Sequence, residues 1–249
     1  MVDKDMQTAE KNTDVYERQA AFYDAIYAAK GKDYQKEAAQ IHEVIERHKR
    51  SKGNRLLDVG CGTGGHFPFL SEWYKVEGLD LDGHMLAVAK KRFSDTPFHQ
   101  GDMVNFSLEN QFDAVTCLFS AIGYVKTVDR MQAAIVNMAK HVKPGGVLVV
   151  EPWFSPDQWT AGRPSAAFVD KPDLKIARVN ISELEDNVSI IKFHFLVATS
   201  GKVEDFTELH ELGLFTREQY LQGFEMAGMK VEYDPQGITG RGLYIGLKS

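Results

Sequence analysis

From Arg55 to Trp153 the chain alternates short apolar runs with amphipathic stretches, and this alternation limits the fold more than any other feature. "RLLDVG" is followed by "GHFPFLSEWY" and "KVEGLDL" by "GHMLAVAKKRF". "TPFHQGDM" precedes "FDAVTCLF", and the helix-like "TVDRMQAAIVNMAKHV" leads to "GGVLVVEPW". Strands recurring between helical stretches predict βαβ units, hence an α/β fold with a parallel sheet and helices on both faces. Pro144, Gly145 and Gly146 read as a turn that stops one helix and releases the next strand.

The flanks follow other rhythms. Residues 1–15 are polar, and from Tyr16 to about Arg50 the pattern is helical, with Ala38, Ile41 and Ile45 at spacings of three and four. Between Phe154 and Phe215, "KIARVNISELEDNVSIIKFHFLVAT" and "DFTELHELGLF" alternate apolar and polar side chains with period two. Half-solvated antiparallel strands do this, so an antiparallel β insertion is predicted. "TREQYLQGFEMAG" returns to helix, with Thr216 as N-cap, Glu218 and Gln219 near the reciprocal capping position and Gly228 as C′. "KVEYDP" and "GLYIGLK" complete the sheet. The expected organisation is an N-terminal helical lid (1–50), a ligand-binding core (51–153), the β insertion on the substrate side (154–215), and a closing helix with two strands (216–249).

A chain of 249 residues fits one large α/β unit with an insertion. Its net charge of -6 makes nucleic acid a poor partner, because phosphate binding needs a basic stripe. No run approaches the ~18 apolar residues of a membrane span. The polar "MVDKDMQTAEKNTD" does not read as a secretory signal. Cys61 and Cys117 lack metal spacing and read as reduced thiols of a cytoplasmic protein. The histidines show no metal spacing either, so a metal-free protein is expected.

In "LLDVGCGTGG" an apolar strand carries Asp58 and then gives way to Gly60, Gly62, Gly64 and Gly65. Gly60, Gly62 and Gly64 satisfy GxGxG, while Gly60, Gly62 and Gly65 satisfy the GxGxxG of a dinucleotide site. Asp80, at the end of the second strand, suits the ribose hydroxyls of either ligand. Three features separate them. Asp58 would attract the ammonium of an amino acid moiety and repel a pyrophosphate. Asp102 in "QGDM" lies where a carboxylate can accept from an adenine amine. "FDAVTCLF" and "VKPGGVLVV" follow in the order of later strands of the same sheet.

Taken in order, "LLDVGCGTGG", "GLDLD", "GDM", "FDAV" and "VKPGG" resemble the signatures of class I S-adenosylmethionine-dependent methyltransferases, over residues 34 to 151. The resemblance implies a Rossmann-like fold and S-adenosylmethionine as methyl donor, leaving S-adenosylhomocysteine. It also implies that Gly60, Gly62 and Gly64 approach the methionine portion, that Asp80 holds the ribose, and that Asp102 and Met103 surround the adenine. Leu81 and Phe119 join this cofactor set. "YDAIYAAKGKDY", "SAIGYVKT", "EPWFSPDQW", "LFTREQY" and "GITGRGLYIG" resemble a narrower group, the N,N-dimethyltransferases of nucleotide-linked 3-amino-deoxysugars. That group implies two successive methylations of one sugar amine.

The chemistry itself is an in-line displacement, so the protein must mainly align a methyl with a lone pair. Glu151, at the carboxyl edge of the sheet, is the first candidate to orient or deprotonate the amine; a carboxylate capping the next turn is the alternative. Tyr124 stands where some of the resembled enzymes carry His, and suits an orienter better than a base. Tyr16, Tyr23 and Tyr34 would place aromatic faces near a sulfonium, with helix packing as the alternative. Trp153 and Trp159 suit stacking on a base or sugar, or simple packing. Arg241, between two glycines, offers a fork of donors suited to a diphosphate; Arg178 and Arg163 are weaker candidates. A small-molecule N- or O-methyltransferase acting on a free metabolite is the alternative function. A nicotinamide oxidoreductase is disfavoured by Asp58 and Asp102, and a non-catalytic scaffold by the intact glycine loop. Antiparallel strands of the insertion could pair across a homodimer.

Overall fold

The computed structural model describes residues 22–249. Seven strands form the main sheet: β1 (Arg55–Val59), β2 (Lys75–Asp80), β3 (Phe98–Gln100), β4 (Phe112–Cys117), β5 (Val142–Val150), β10 (Met229–Asp234) and β11 (Leu243–Lys248), in the order β10-β11-β5-β4-β1-β2-β3. β1 to β5 pair in parallel, while β11 runs antiparallel to both β5 and β10. The predicted α/β class and the two closing strands are therefore present.

Both faces of this sheet are covered by helices, as the near-continuous apolar strands require. On one face α5 (Val128–Lys140) and α6 (Arg217–Met226) bury Met131, Ile135, Met138, Tyr220 and Phe224 against Leu57, Val115 and Leu148. On the other, α2 (Tyr34–His48) and α3 (Phe67–Leu70) bury Ala38, Ile41, Ile45, Phe67 and Leu70 against Leu56, Val147 and Ile245. α4 (Gly83–Arg92) adds Leu86 to that second layer. α6 begins with a reciprocal capping box in which Gln219, not Glu218, returns the hydrogen bond of Thr216. Gly228 follows at φ +66°, as expected of C′.

Two local readings are corrected. The helical pattern expected through residue 50 is interrupted: α1, helical over 22–29 among the described residues, ends before Gly31 at φ +81°, and Asp33 caps a new helix by accepting from the Lys36 N–H at 2.9 Å. The Pro144–Gly146 segment is not a turn ahead of a strand but part of β5, where the pairing with β4 shifts register. Gly145 takes φ +73° so that its carbonyl can accept the N–H groups of Arg50 and Ser51, which pins the end of α2 to the sheet.

The insertion is a four-stranded antiparallel meander of β6 (Pro164–Lys171), β7 (Leu174–Glu185), β8 (Val188–Thr199) and β9 (Lys202–Gly213). Ala167, Val169, Ile176, Phe195 and Val197 on its inner face pack against Phe22, Ala25 and Ile26 of α1. The first described helix thus belongs structurally to the insertion, while α2 belongs to the core. The outer face exposes Phe168, Val179, Ile181, Leu196, Val203 and Leu209.

Asp113, 1% exposed, accepts from the N–H groups of Gly53 and Arg55 and from Lys143 Nζ, at 3.1, 3.0 and 2.8 Å. Burial pushes this carboxyl up, but Lys143 and the Arg55 N–H outweigh it and leave it below the usual range. Asp113→Ala strands these donors at the start of β1. It is expected to lower unfolding stability by about 2 kcal/mol in urea titration with an unchanged m-value.

Candidate active site

The strand order reverses between β1 and β4, and at such switch points ligands bind outside the carboxyl ends of the strands. A cavity of about 1530 Å³ opens there. Its floor is the glycine loop. The N–H groups of Gly60 and Cys61 both donate to the Leu79 carbonyl, and the Gly62 N–H donates to Asp80 Oδ2 at 2.7 Å. Gly60, Gly62 and Gly64 take φ values of +75°, +54° and +76°, which few residues but glycine adopt without strain. They serve different neighbours. A Cβ on Gly60 would strike Ala121, and one on Gly64 would strike Phe93. At Gly62 it would meet nothing within 4 Å. Only Gly62 presents bare backbone to open space; Gly64 makes room for the ring of Phe93 and does not line the cavity.

Three carboxylates surround this floor. Asp58 is buried and accepts from Thr116 Oγ1 at 2.8 Å. Burial pushes its pKa up to about 6; His66 and Thr116 pull it down and Asp80 adds to the rise. Asp80 is raised by burial too, against the N–H groups of Asp82 and Gly62 that it accepts. Asp102 is pushed up by burial but held below the usual range by the Val104 N–H, at 3.0 Å, and by Arg130, at 2.7 Å. Leu81 and Met103 line the wall beside them.

Over the floor lies an aromatic wall. Tyr27 stands edge-on to Phe119 with ring centroids 5.0 Å apart, and Tyr23 lies 4.3 Å from Tyr27. Tyr34 meets His66 edge-on, its ring filling the space that a side chain on Gly65 would need. Lys32 Nζ sits 3.6 Å above the Phe119 ring and pairs with Glu37 at 2.7 Å; Glu37 also contacts His66 at 2.9 Å. Tyr16, the third tyrosine expected here, lies outside the described residues.

Glu151 is not on this surface. It is 2% exposed, does not line the cavity, and accepts from the Phe119 N–H at 2.6 Å, from Thr239 Oγ1 and from Arg241 Nη2 at 3.3 Å. Buried off the cavity with three donors on its two oxygens, it secures the wall from behind, so the geometry does not offer it to an acceptor amine. Phe119 and Ser120, at φ +51° and +63°, occupy the left-handed region. That costs non-glycine residues on the order of 1–2 kcal/mol each, and the bond from the Phe119 N–H to Glu151 helps hold the turn. Tyr124, in the 3₁₀ turn Ala121–Val125, does line the cavity, with its hydroxyl 2.6 Å from His210 Nδ1.

At the far end the insertion and the segments flanking it contribute cations and indoles. Arg178 is buried, stacked 4.2 Å over Phe193, and forms no ion pair among the described residues. Arg241 lies 5.4 Å from the Trp153 ring, and its Nε is buried without a hydrogen-bond partner. Trp153 donates to Ser189 Oγ, and Trp159 to the Glu183 carbonyl. Trp159 and Arg163 line the same wall. Sequence reading missed Tyr27, Lys32, Glu37, His66, Arg130, Glu208, His210 and Thr239. Tyr27 was accessible from its i, i+4 spacing to Tyr23, and His66 from its place directly after the glycine loop; the others have no local signature. Among the described residues, no group of three or more His, Cys, Asp or Glu side chains could hold a metal, and no helix is long and apolar enough to cross a membrane.

Residues 56–146 match a family model described as a methyltransferase domain. Over 230 residues, covering 92% of this chain and 90% of the relative, the sequence is 44% identical to dTDP-3-amino-3,6-dideoxy-alpha-D-glucopyranose N,N-dimethyltransferase of Streptomyces fradiae. The chain is a class I S-adenosylmethionine-dependent methyltransferase. The methyltransferase superposes on the crystal structure of DesVI from Streptomyces venezuelae with a TM-score of 0.89 and 40% identity, covering 93% of this chain and 98% of that one. It superposes on S-adenosylmethionine-bound CalS10, an amino pentose methyltransferase from Micromonospora echinaspora, with a TM-score of 0.84 and 38% identity, covering 92% and 97%. S-adenosylmethionine is accordingly its methyl donor.

The raised pKa of Asp58 makes a prediction about the ligand-free methyltransferase. An unfolded aspartate titrates near about 3.9, below the folded value of about 6. The contribution of Asp58 is therefore fully favourable below about pH 4 and is lost as pH rises through about 6. Between about pH 5 and pH 7 the parent should lose roughly 1 kcal/mol relative to Asp58→Asn, read from denaturant unfolding at each pH. A constant difference would show that burial does not control this group.

Proposed function

We propose that this methyltransferase transfers methyl groups, two in succession, to the amine of an amino-deoxysugar carried on a nucleoside diphosphate. One observation carries the reading. Buried Arg178, with no ion pair among the described residues, and Arg241, with an unpartnered Nε, share a continuous cavity with the glycine floor. Its volume, about 1530 Å³, exceeds the roughly 300–1,000 Å³ of a pocket for one drug-sized ligand. Donor and a large anionic acceptor fit it together. A buried cation without a carboxylate, as Arg178 is among the described residues, is costly unless a ligand supplies the anion, and guanidinium forks suit a diphosphate.

The floor fits S-adenosylmethionine on its own terms. The open face of Gly62 admits the ligand chain against the backbone, and Asp58 faces the side where an ammonium is wanted. Asp80 can accept ribose hydroxyls with the lone pairs its two backbone donors leave free. Asp102, Met103 and Leu81 suit the adenine, and Tyr23, Tyr34 and Phe119 present ring faces to a cation. Bound there, the donor supplies an electrophilic methyl on a sulfonium. The protein's part is alignment and exclusion of water: α1 and the loop after it roof the floor, and Trp153 with the two arginines hold the acceptor's carrier at a fixed distance. The buried thiols of Cys61 and Cys117 fit the reducing cytoplasm. The exposed apolar outer face of β6 to β9 suits pairing with a second copy.

Mass spectrometry of reactions with a panel of nucleotide-linked amino sugars is expected to show products carrying first one and then two added methyl groups. Arg241→Ala should raise KM for the nucleotide-linked acceptor by about 10- to 100-fold, the loss of charge-assisted bonds to a diphosphate. Its effect on KM for a free amino sugar should be much smaller. Equal effects on both would favour a free metabolite as acceptor. Gly62→Ala, which places a methyl into the open floor, should weaken S-adenosylhomocysteine by at least about 10-fold in calorimetry.

A further inference from the structure

The acceptor amine is a nucleophile only when neutral, and each methyl transfer leaves an ammonium that must lose a proton before the next. Glu151 and Asp102 are poor acceptors for it. Glu151 sits behind the wall with three donors, and Asp102 is paired with Arg130. The insertion supplies another route. His210, on β9 and opposite Ile191 of β8, lines the cavity with Glu208 and Tyr124. Tyr124 Oη lies 2.6 Å from His210 Nδ1, and His210 Nε2 lies 3.4 Å from Glu208 Oε2. A carboxylate can only accept, so Nε2 carries the imidazole hydrogen and Nδ1 is the bare nitrogen. The Tyr124 hydroxyl must therefore donate to Nδ1, which leaves its own lone pairs free to accept from a cavity ligand. Polarity runs one way along the chain of three.

We propose that His210, backed by Glu208, receives through the Tyr124 hydroxyl the proton that the acceptor amine must lose. The proposal rests on an amine being the methylated group. One ammonium N–H proton passes to Tyr124 Oη as the Tyr124 O–H proton passes to His210 Nδ1. The amine keeps its lone pair, the phenol is neutral again, and an imidazolium stands beside the Glu208 carboxylate. The lone pair then forms the new C–N bond, and the electrons of the broken C–S bond leave with the sulfur. The same route drains the ammonium so produced once the imidazolium has released its proton to solvent along partly exposed Glu208.

The groups facing this chain are consistent with the direction of transfer. Burial, then Tyr27, Glu208 and Asp80, push the Tyr124 phenol well above its ordinary range, so Tyr124 passes a proton rather than holding a charge. Phe193 of β8 stands edge-on to His210 at 5.1 Å and carries Arg178 of β7 on its ring. Lys126, whose N–H closes the turn around Tyr124 by donating to the Gly123 carbonyl, is paired with Glu211 and so neutralised at the next position of β9. Glu208 is left as the carboxylate within reach of Nε2 among the described residues.

The test compares the parent protein with His210→Gln, Tyr124→Phe and the double variant, on whichever amine the parent methylates. Glutamine keeps a hydrogen bond to Tyr124 but cannot take a proton. Each variant is expected to lose about 100-fold in kcat near neutral pH, with acceptor KM and S-adenosylhomocysteine affinity within about twofold of the parent. The loss should shrink as pH rises from about 6 to about 9, where the amine sheds its proton unaided, and the double variant should be no worse than either single one. A pH-independent loss, a loss confined to KM, or a His210→Gln variant as active as the parent at every pH would overturn the proposal. Methylation of a free amine but of no nucleotide-linked sugar would instead overturn the acceptor assignment and leave this comparison in place.

Discussion

Three donors from two distant parts of the chain converge on the buried carboxylate of Glu151. The Phe119 N–H belongs to the turn after β4, while Thr239 and Arg241 lie between β10 and β11. Removing an ionised carboxylate from water costs several kcal/mol, so a buried one is stabilised by donors at its oxygens. Supplying those donors fixes the left-handed turn at Phe119 and Ser120 and brings Arg241 to the cavity. It also docks the β10–β11 connection against the carboxyl end of β5. Ser120 adds a second tie by donating to the Pro152 carbonyl at 2.7 Å. The Phe119 turn and the Arg241 loop, both of which line the cavity, are therefore held at one spacing by one carboxylate that does not line it.

Asp58 shows the opposite arrangement, a charge left short of partners. Thr116 supplies one hydrogen bond, the strand interior supplies no cation in contact, and the carboxyl is raised as a result. Burying a titratable group in this way lowers stability at neutral pH, a cost that binding sites commonly carry because the ligand completes them. Arg178 and the Nε of Arg241 repeat the pattern with the other sign. The cavity thus carries an under-partnered carboxyl at one end and under-partnered guanidinium groups at the other.

The insertion is more than a cover. Its inner face is closed by Phe22, Ala25 and Ile26 of α1, so the aromatic wall over the donor site and the sheet that frames the acceptor form one packed layer. Arg178 from β7 and His210 from β9 enter the same cavity because alternate residues of those strands face inward. Apolar residues hold α1 between them and leave polar positions of the same face to the ligand.

Much of this was legible in the sequence for a physical reason: strands, helices and caps are set by patterns a few residues long. The order of strands, the glycine loop, Asp58, Asp80 and Asp102 at strand ends, the β insertion and the Thr216 cap all follow from periodicity and local turn chemistry. The interruption at Gly31 and the register shift at Gly145 escaped because each answers to a partner elsewhere, the cap at Asp33 and the N–H groups of Arg50 and Ser51. Sequence could nominate Glu151, Tyr124 and Arg241 as chemistry near the right edge, but not say which faces the ligand. That depended on hydrogen bonds spanning 32, 86 and 90 positions, from Glu151 to Phe119, Tyr124 to His210, and Arg241 to Glu151. Only the folded chain brings such residues within 3.5 Å, since no local rule constrains them. The sequence alone determined the kind of scaffold and the donor it cradles; tertiary contact decided which side chains stand at the surface of the site and which hold it from behind.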